Sequence, residues 1–265
     1  MHPLLVNLGS LPIHTYGVMI AIGFVLGVLT VKTLAKRAGL DAERFIDLAF
    51  WCLVIGFLGA RILYIITRWD YFAADPAAAL RVWEGGLVFF GGPIAVIPFA
   101  IWYLRHYRIS EWKAMDVLMP GLVASHAFGR LGCLGAGCCY GKPTDSFLGV
   151  RLYSELVESH LRGVPLHPTQ LYEAVALLLL FGGLLLLFRR RAFDGQVGLT
   201  YFAAYPLIRS VIEIFRGDLI RGFVIPDILS TSQFISIFFF AVATFFLLHR
   251  SRRSGRISAK VSANV

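Results

Sequence analysis

Charged residues are scarce in this chain. Asp, Glu, Lys and Arg make up 15% of its 265 residues and hydrophobic residues 57%, whereas a soluble domain carries about 25% charged residues. With a mean hydropathy of +0.71, this composition excludes an ordinary soluble domain and predicts an integral membrane protein. The net charge of +9 comes from basic residues beside apolar runs, so cytoplasmic loops explain it better than nucleic-acid binding does.

Cysteine is scarce as well. Four cysteines, Cys52, Cys133, Cys138 and Cys139, are too few for a disulfide scaffold. They contain no CxxC pair, which disfavours a zinc site, and we predict neither a metal nor a cofactor. Cys133, Cys138 and Cys139 are predicted to be small buried hydrophobic residues, to form a disulfide in an oxidising compartment, or to take part in chemistry.

Seven windows are long and apolar enough to cross a hydrocarbon core of about 30 Å. The N-terminus lacks the basic region of a cleaved signal peptide, so the first window is predicted to be retained. The windows are Tyr16–Ala35, Phe45–Ile66, Leu87–Leu104, Ala114–Ala136, Leu171–Phe188, Val197–Phe215 and Ile228–Leu248. The predicted fold class is therefore all-α, a polytopic membrane protein with seven transmembrane helices.

Basic residues set the predicted orientation. Most Lys and Arg residues lie in the connections after the first, third and fifth windows and in the tail, and such segments face the cytoplasm. The N-terminus is then external and the C-terminus cytoplasmic. We predict a seven-helix domain over residues 1–249, a small external cap over about 137–168, and a basic tail over 250–265 that is disordered at its tip.

Three arginines, Arg61, Arg130 and Arg209, lie inside the second, fourth and sixth windows. Each falls about 12 to 16 residues past the inner end, or roughly 18 to 24 Å at 1.5 Å per residue. They are therefore predicted to share one depth in the outer half of the bilayer. A charge at such a depth costs about 2.5 to 3.5 kcal/mol, which indicates either a partner or a function.

The sixth window carries a polar face. Its residues Tyr205, Arg209, Glu213 and Arg216 are spaced by four, four and three, so they share one side of a helix. A guanidinium can bind phosphate through two hydrogen bonds, and Arg130 with Arg209 would suit a phospholipid head group. The alternatives are that both arginines snorkel to the interface or form structural ion pairs.

Two other features adjoin the predicted site. The glycines of EGGLVFFGG, including Gly91 and Gly92, allow close approach of another helix or of a ligand. Glu173, one turn into the fifth window, indicates a partner such as an arginine, or else a role at the helix N-terminus.

Together these motifs resemble the bacterial prolipoprotein diacylglyceryl transferase family. The run GRLGCLGAGCCYG, from Gly129, is similar to the family signature GRxGNFxNxExxG in the branch that reads GRxGCxxxGCCYGKPT. The early Tyr16, the GAR at Arg61, WEGGLVFFGG, HPTQLYE and the polar face ending in Arg216 also match in order. The resemblance covers about residues 10 to 240.

The resemblance implies a multi-pass enzyme of the bacterial inner membrane. It would transfer the diacylglyceryl group of phosphatidylglycerol to the lipobox cysteine of a prolipoprotein signal peptide and release glycerol phosphate. Arg130 and Arg209 would be the essential arginines around the lipid phosphate. Tyr16, Tyr205, Glu213 and Arg216 would support them. We also predict that Arg61, Gly91, Gly92 and Cys133 bind substrate, and the alternative for Arg61 is that it braces the site.

Three positions depart from the family pattern. The residue after Phe89, often His in the family, is Phe90, and the signature's Asn and Glu are replaced by Cys133 and Cys138. Phe90 cannot take a proton, so we predict His126 as the general base, with His167 second. A structural, buried His126 remains the alternative.

The departures leave other functions open. A non-enzymatic relative that binds or transports phospholipid would tolerate Phe90 and the lost Asn and Glu. A membrane thiol-redox protein using the three clustered cysteines is the third hypothesis.

Overall fold

The computed structural model describes residues 4–8, 11–217, 223–225 and 229–263. Within them the fold is all-helical, as predicted, and short antiparallel hairpins join β1 to β2, β3 to β4 and β5 to β6. The α-helices are α1 (Thr15–Arg37), α2 (Ala42–Thr67), α3 (Trp69–Ala74), α4 (Gly91–His106), α5 (Glu111–Ala136), α6 (Thr169–Arg190), α7 (Gln196–Phe215) and α8 (Thr231–Ala263). The strands are β1 (Leu4–Leu8), β2 (Leu11–His14), β3 (Val150–Arg151), β4 (Pro165–Leu166), β5 (Phe223–Ile225) and β6 (Leu229–Ser230).

Among the described residues, six helices are long and apolar enough to cross a membrane: α1, α2, α5, α6, α7 and the Ser232–Arg253 part of α8. These six helices fit a polytopic membrane protein. The third apolar window corresponds to α4, which begins at Gly91 instead of Leu87. Leu87 and Val88 continue the non-helical segment that begins with the positive-φ residues Gly85 and Gly86, and Phe89 and Phe90 form a turn. Sixteen residues reach only about 24 Å, so α4 is not among the six.

The chain divides into two compact units. The smaller, residues 31–114, contains α2, α3 and α4. There α2 packs on α4, and a Cβ on Gly91 would collide with the Gly59 carbonyl. Close helix packing is thus what the glycine of this motif permits, and the predicted substrate-binding role of Gly91 and Gly92 stays a prediction.

The larger unit comprises residues 1–30 and 115–265, with α7 packed on both α6 and α8. Buried Asp116 of α5 fixes the start of α7. Its carboxylate accepts hydrogen bonds from the backbone N–H groups of Gly195, Val197 and Gly198 at 2.8, 2.8 and 3.1 Å. A carboxylate at a helix N-terminus satisfies free N–H groups and opposes the helix dipole. The Nε of Arg191 lies 3.6 Å from the Asp116 carboxylate and balances its negative charge.

Residues 137–168 join α5 to α6 and form a small lobe of the larger unit. Strands β3 and β4 pair there, over a cluster of Tyr140, Leu152, Val157 and Leu166. This is the segment for which the sequence predicted an external cap. The tail prediction also stays untested: α8 continues to Ala263, and residues 264 and 265 lie outside the described residues.

Candidate active site

The larger unit contains a buried polar cluster built by three helices. Helix α5 supplies His126, Arg130 and Cys133, whose four- and three-residue spacing places them on one side of the helix. The same periodicity aligns Tyr205 and Arg209 on α7. Helix α6 buries a polar face at its start, which consists of Thr169, Gln170 and Glu173.

Glu173 is the centre of this cluster and is only 1% exposed. One of its oxygens lies 3.1 Å from Arg130 Nη2 and accepts a hydrogen bond from the Tyr205 hydroxyl at 3.2 Å. The same oxygen is 3.8 Å from His126 Nε2. Because a buried carboxylate needs compensating charge and hydrogen bonds, these contacts fix the position of Arg130.

Arg209 pairs along its own helix. Its Nη2 lies 2.6 Å from the Glu213 carboxylate, one turn on. At the end of α7, the Arg216 backbone N–H donates to the Glu213 carbonyl. Arg216 also forms an antiparallel bridge with Gly141, which belongs to the lobe of residues 137–168. The predicted polar face of the sixth window therefore exists, but its last member is the residue that ends the helix.

Arg130 and Arg209 each have one hydrogen-bond donor that no described residue accepts. Arg130 Nε and Arg209 Nη1 are buried and have no hydrogen-bond partner among the described residues. A buried donor without a partner costs about 1 to 3 kcal/mol. Both charges act on the same two groups, His126 and Tyr205, whose rings lie 5.2 Å apart. Two cationic groups, each with an N–H donor that has no partner among the described residues, thus act on one pair of side chains, which favours an anion-binding site there.

Three cysteines lie at the end of α5, next to this region. The Sγ atoms of Cys133, Cys138 and Cys139 all lie within 4.8 Å of one another, and all three are free thiols. Hydrogen bonds with the Cys133 and Cys138 thiols lower the pKa of Cys139, aided by the Arg216 and Arg130 charges and opposed by burial. This pKa shift favours a thiolate at Cys139 near the arginines.

Comparison with known proteins agrees with this geometry. A sequence profile of the prolipoprotein diacylglyceryl transferase family matches residues 3–249. The chain is 35% identical to the phosphatidylglycerol–prolipoprotein diacylglyceryl transferase of Clostridium tetani, over 96% of this chain and 100% of the relative. It is 32% identical to the enzyme of that name from Oceanobacillus iheyensis, over 93% of this chain and 87% of the relative.

The chain belongs to the prolipoprotein diacylglyceryl transferase family. The larger unit holds most of the residues that the sequence assigned to this activity. They are Tyr16, His126, Arg130, Cys133, Tyr205, Arg209, Glu213 and Arg216. Tyr16 is 43% exposed and lies within electrostatic reach of the three cysteines and of Arg130.

The smaller unit of this family member holds the other predicted site residues, Arg61, Gly91 and Gly92. Arg61 is buried. Its guanidinium donates to five backbone carbonyls, those of Ala78, Ala79, Arg81, Gly85 and Gly86, at 2.6 to 3.3 Å. These contacts give Arg61 a structural task in holding the segment before α4; its substrate-binding role stays a prediction.

The histidines occupy different surroundings in this family member. His126 lies against Glu173 and Tyr205, which suits either a base or a structural residue. His167 Nδ1 is 3.2 Å from the Tyr172 hydroxyl, and its ring packs on Phe215. Phe90, where the family often has His, is 62% exposed.

Sequence reasoning did not place two buried residues, Glu173 and Gln170, in the candidate site. It left Glu173 open between an arginine partner and a helix-end role, and the structure gives it the arginine. Gln170 was missed: its Nε2 donates to the Cys138 carbonyl at 2.6 Å, and its buried Oε1 has no partner among the described residues. The signal was available in HPTQLYE, where Gln170 precedes Glu173 by one helical turn.

Proposed function

We propose that this chain transfers the diacylglyceryl group of phosphatidylglycerol to the lipobox cysteine thiol of prolipoproteins. The observation that carries the proposal is the pair of buried, partnerless N–H donors on Arg130 and Arg209. A phosphodiester oxygen is the ligand that such donors fit best, because guanidinium and phosphate match in charge and geometry. Membership of the transferase family supports the same reaction.

The reaction forms one bond and breaks one. The client thiol loses its proton, its sulfur attacks the glyceryl carbon, and the carbon–oxygen bond to phosphate breaks. The phosphate keeps the electron pair, so a diester with one negative charge becomes glycerol phosphate, a monoester with greater charge. Arg130 and Arg209 would stabilise that developing charge without reorganising, because Glu173 and Glu213 already hold them in place.

A proton acceptor is also needed, because an unperturbed thiol has a pKa near 8.5. We propose His126, whose Nε2 lies 3.8 Å from the Glu173 carboxylate. A carboxylate beside an imidazole stabilises the imidazolium that forms when the base takes a proton. The alternative is that the positive field of the arginines lowers the pKa of the client thiol and a water takes the proton.

We further propose that the protein crosses the bacterial cytoplasmic membrane seven times, with α4 as the additional span. The N-terminus would be external and the C-terminus cytoplasmic. The basic residues at the ends of α1, α4 and α6 support this orientation. The site would then face the outer leaflet, where the lobe of residues 137–168 forms the external cap.

The test uses the purified protein with a synthetic lipobox peptide and phosphatidylglycerol that is labelled in its diacylglyceryl group. We expect labelled diacylglyceryl thioether on the peptide cysteine and stoichiometric glycerol phosphate. A second function, phospholipid binding without turnover, is favoured by Phe90 in place of the usual His. Lipid binding in the absence of any thioether product would establish it and contradict the transferase.

A further inference from the structure

The end of α5 brings two cysteines together. The Cys138 N–H donates to the Cys133 carbonyl at 3.1 Å, and Gly137 between them has φ 78°. This arrangement is a Schellman motif, in which the residues at the positions of Cys133 and Cys138 usually make a hydrophobic side-chain contact. Here two thiols occupy those positions. A helix-end motif therefore brings two cysteines together without a CxxC pair.

Cys139 joins them at a cost in backbone energy. Its φ of 61° is left-handed, a conformation that is disfavoured for a residue with a Cβ. The surroundings enforce it: Thr169 Oγ1 donates to the Cys139 carbonyl at 2.8 Å, and Gln170 Nε2 donates to the preceding carbonyl, that of Cys138, at 2.6 Å. Two buried side chains of α6 thus hold the loop in the conformation that gathers all three thiols.

The spacing of the sulfurs suits a metal ion. All three Sγ atoms lie within 4.8 Å of one another. Sulfur ligands at about 2.3 Å from a cation in trigonal geometry are about 4 Å apart, so each distance has to shorten by less than about 1 Å. A disulfide would use only two of the sulfurs and would leave the third unused.

The donor set defines the kind of ion. Sulfur ligands select soft cations such as Cu(I) or Zn(II), whereas Mg²⁺ and Ca²⁺ require oxygen. Zn(II) takes four protein ligands in closed sites, and within the part of the chain that the structure describes this group contains no fourth His, Cys, Asp or Glu. Three sulfurs alone match the trigonal coordination of Cu(I).

We propose that Cys133, Cys138 and Cys139 bind one Cu(I) ion through their three sulfur atoms. Each thiol gives up one proton on coordination, so the complex carries two negative charges. The guanidinium groups of Arg130 and Arg216 act on Cys139 and compensate part of that charge. The Cu(I) site adjoins the candidate active site, to which Arg130 and Cys133 belong, but Cu(I) binding requires no step of diacylglyceryl transfer.

The first experiment titrates reduced, full-length protein in detergent, without oxygen, with Cu(I) against a chromogenic Cu(I) chelator. We expect one equivalent of Cu(I) bound by the unchanged protein and by the control Cys52→Ser, whose thiol is outside the cluster. Each of C133S, C138S and C139S should weaken binding by more than about 100-fold, since even changes around a metal ligand cost 10- to 100-fold. Binding retained in the triple variant would overturn the proposal.

A second measurement needs no variant, so it tests Cu(I) binding by the three cysteines even if the serine variants do not fold. Alkylation of the unchanged protein is followed by mass spectrometry with and without Cu(I). We expect Cu(I) to protect Cys133, Cys138 and Cys139 together. Absence of protection contradicts the site, as does a disulfide among them with no Cu(I) uptake after reduction. Zn(II) binding more tightly than Cu(I) would contradict the three-coordinate assignment.

Discussion

The two units of the molecule use buried arginine in opposite ways. In the smaller unit, all three nitrogens of Arg61 donate to backbone carbonyls. In the larger unit, Arg130 and Arg209 are paired with carboxylates, yet each keeps a buried nitrogen without a partner among the described residues. A guanidinium with every donor engaged holds structure, whereas one with a donor left over is prepared for a ligand. Burial of an arginine alone does not tell these roles apart.

The sharpest test of this contrast replaces Arg130 and Arg209, the two arginines with an unpartnered nitrogen among the described residues, by lysine. Arg130→Lys and Arg209→Lys keep the charge opposite Glu173 and Glu213 but remove the planar fork. We expect lipid transfer to fall by about 10²- to 10³-fold, the usual cost of losing one donor to a developing anion, while the melting temperature changes little. Rates of labelled transfer to a lipobox peptide measure this. Full activity in both variants would remove the phosphate-binding role.

The carboxylate that positions Arg130 gives the next largest effect. Glu173→Gln keeps the shape but removes the charge that holds Arg130, Tyr205 and His126 together. Displacement of the arginine by about 1 Å can cost up to about 10²-fold in rate. We expect kcat to fall with little change in KM for the lipid, since Arg130 keeps its charge. A rise in KM alone would assign Glu173 to substrate binding instead.

In the smaller unit the same arginine-to-lysine change should act on stability. Lysine cannot reach five carbonyls, and the loss of hydrogen bonds from a charged donor costs about 3 kcal/mol, or roughly 6 to 12 °C in melting temperature for a chain of this size. We expect Arg61→Lys to lower the melting temperature while the folded fraction keeps its kcat and its KM for lipid. A raised KM at an unchanged melting temperature would instead support the substrate-binding role predicted from sequence.

Asp116 provides a smaller, purely structural effect in the larger unit. Asp116→Asn leaves one acceptor oxygen for three N–H groups and removes the charge opposite Arg191. Loss of a helix cap costs about 1 kcal/mol, or about 2 to 4 °C. Thermal unfolding should show this shift with transfer activity unchanged. A loss of activity at an unchanged melting temperature would connect the start of α7 to catalysis.

The smallest expected effect is on stability and comes from Asp75, which pairs with Arg81 in the segment whose backbone carbonyls bind Arg61. A hydrogen bond from the Arg81 guanidinium lowers the pKa of Asp75. A lowered pKa in the folded state adds stability above the unfolded value of about 4, and this stability is lost as pH falls through the lower, folded value. The melting temperatures of the unchanged protein and of Asp75→Asn should therefore differ slightly at neutral pH and converge on acidification. A constant difference would contradict the pairing.

The sequence was sufficient wherever one helix decides the outcome. Each of the seven apolar windows coincides with a helix, and the period of 3.6 residues placed Tyr205, Arg209 and Glu213 on one face of α7. The start of α4 was the exception, because the helix begins at Gly91, four residues after the predicted Leu87.

Features that depend on two segments were harder to predict. Nothing in the local sequence around Arg130 specifies Glu173 as its partner, because the two residues lie on different helices, α5 and α6. The three-thiol cluster likewise needs the left-handed φ of Cys139 and the hydrogen bonds from Thr169 and Gln170. Spacing rules for metal sites describe ligands within one turn or hairpin, and this cluster instead follows from the way a helix ends.

As the proposed seventh span, the short α4 would also affect the lipids around the protein. A helix of sixteen residues reaches about 24 Å, and a typical hydrocarbon layer measures about 30 Å. Such hydrophobic mismatch is relieved when the bilayer thins or when flanking side chains extend the apolar surface. Phe89 and Phe90, 77% and 62% exposed just before α4, would supply that extension and give the lipid beside the proposed span aromatic contacts.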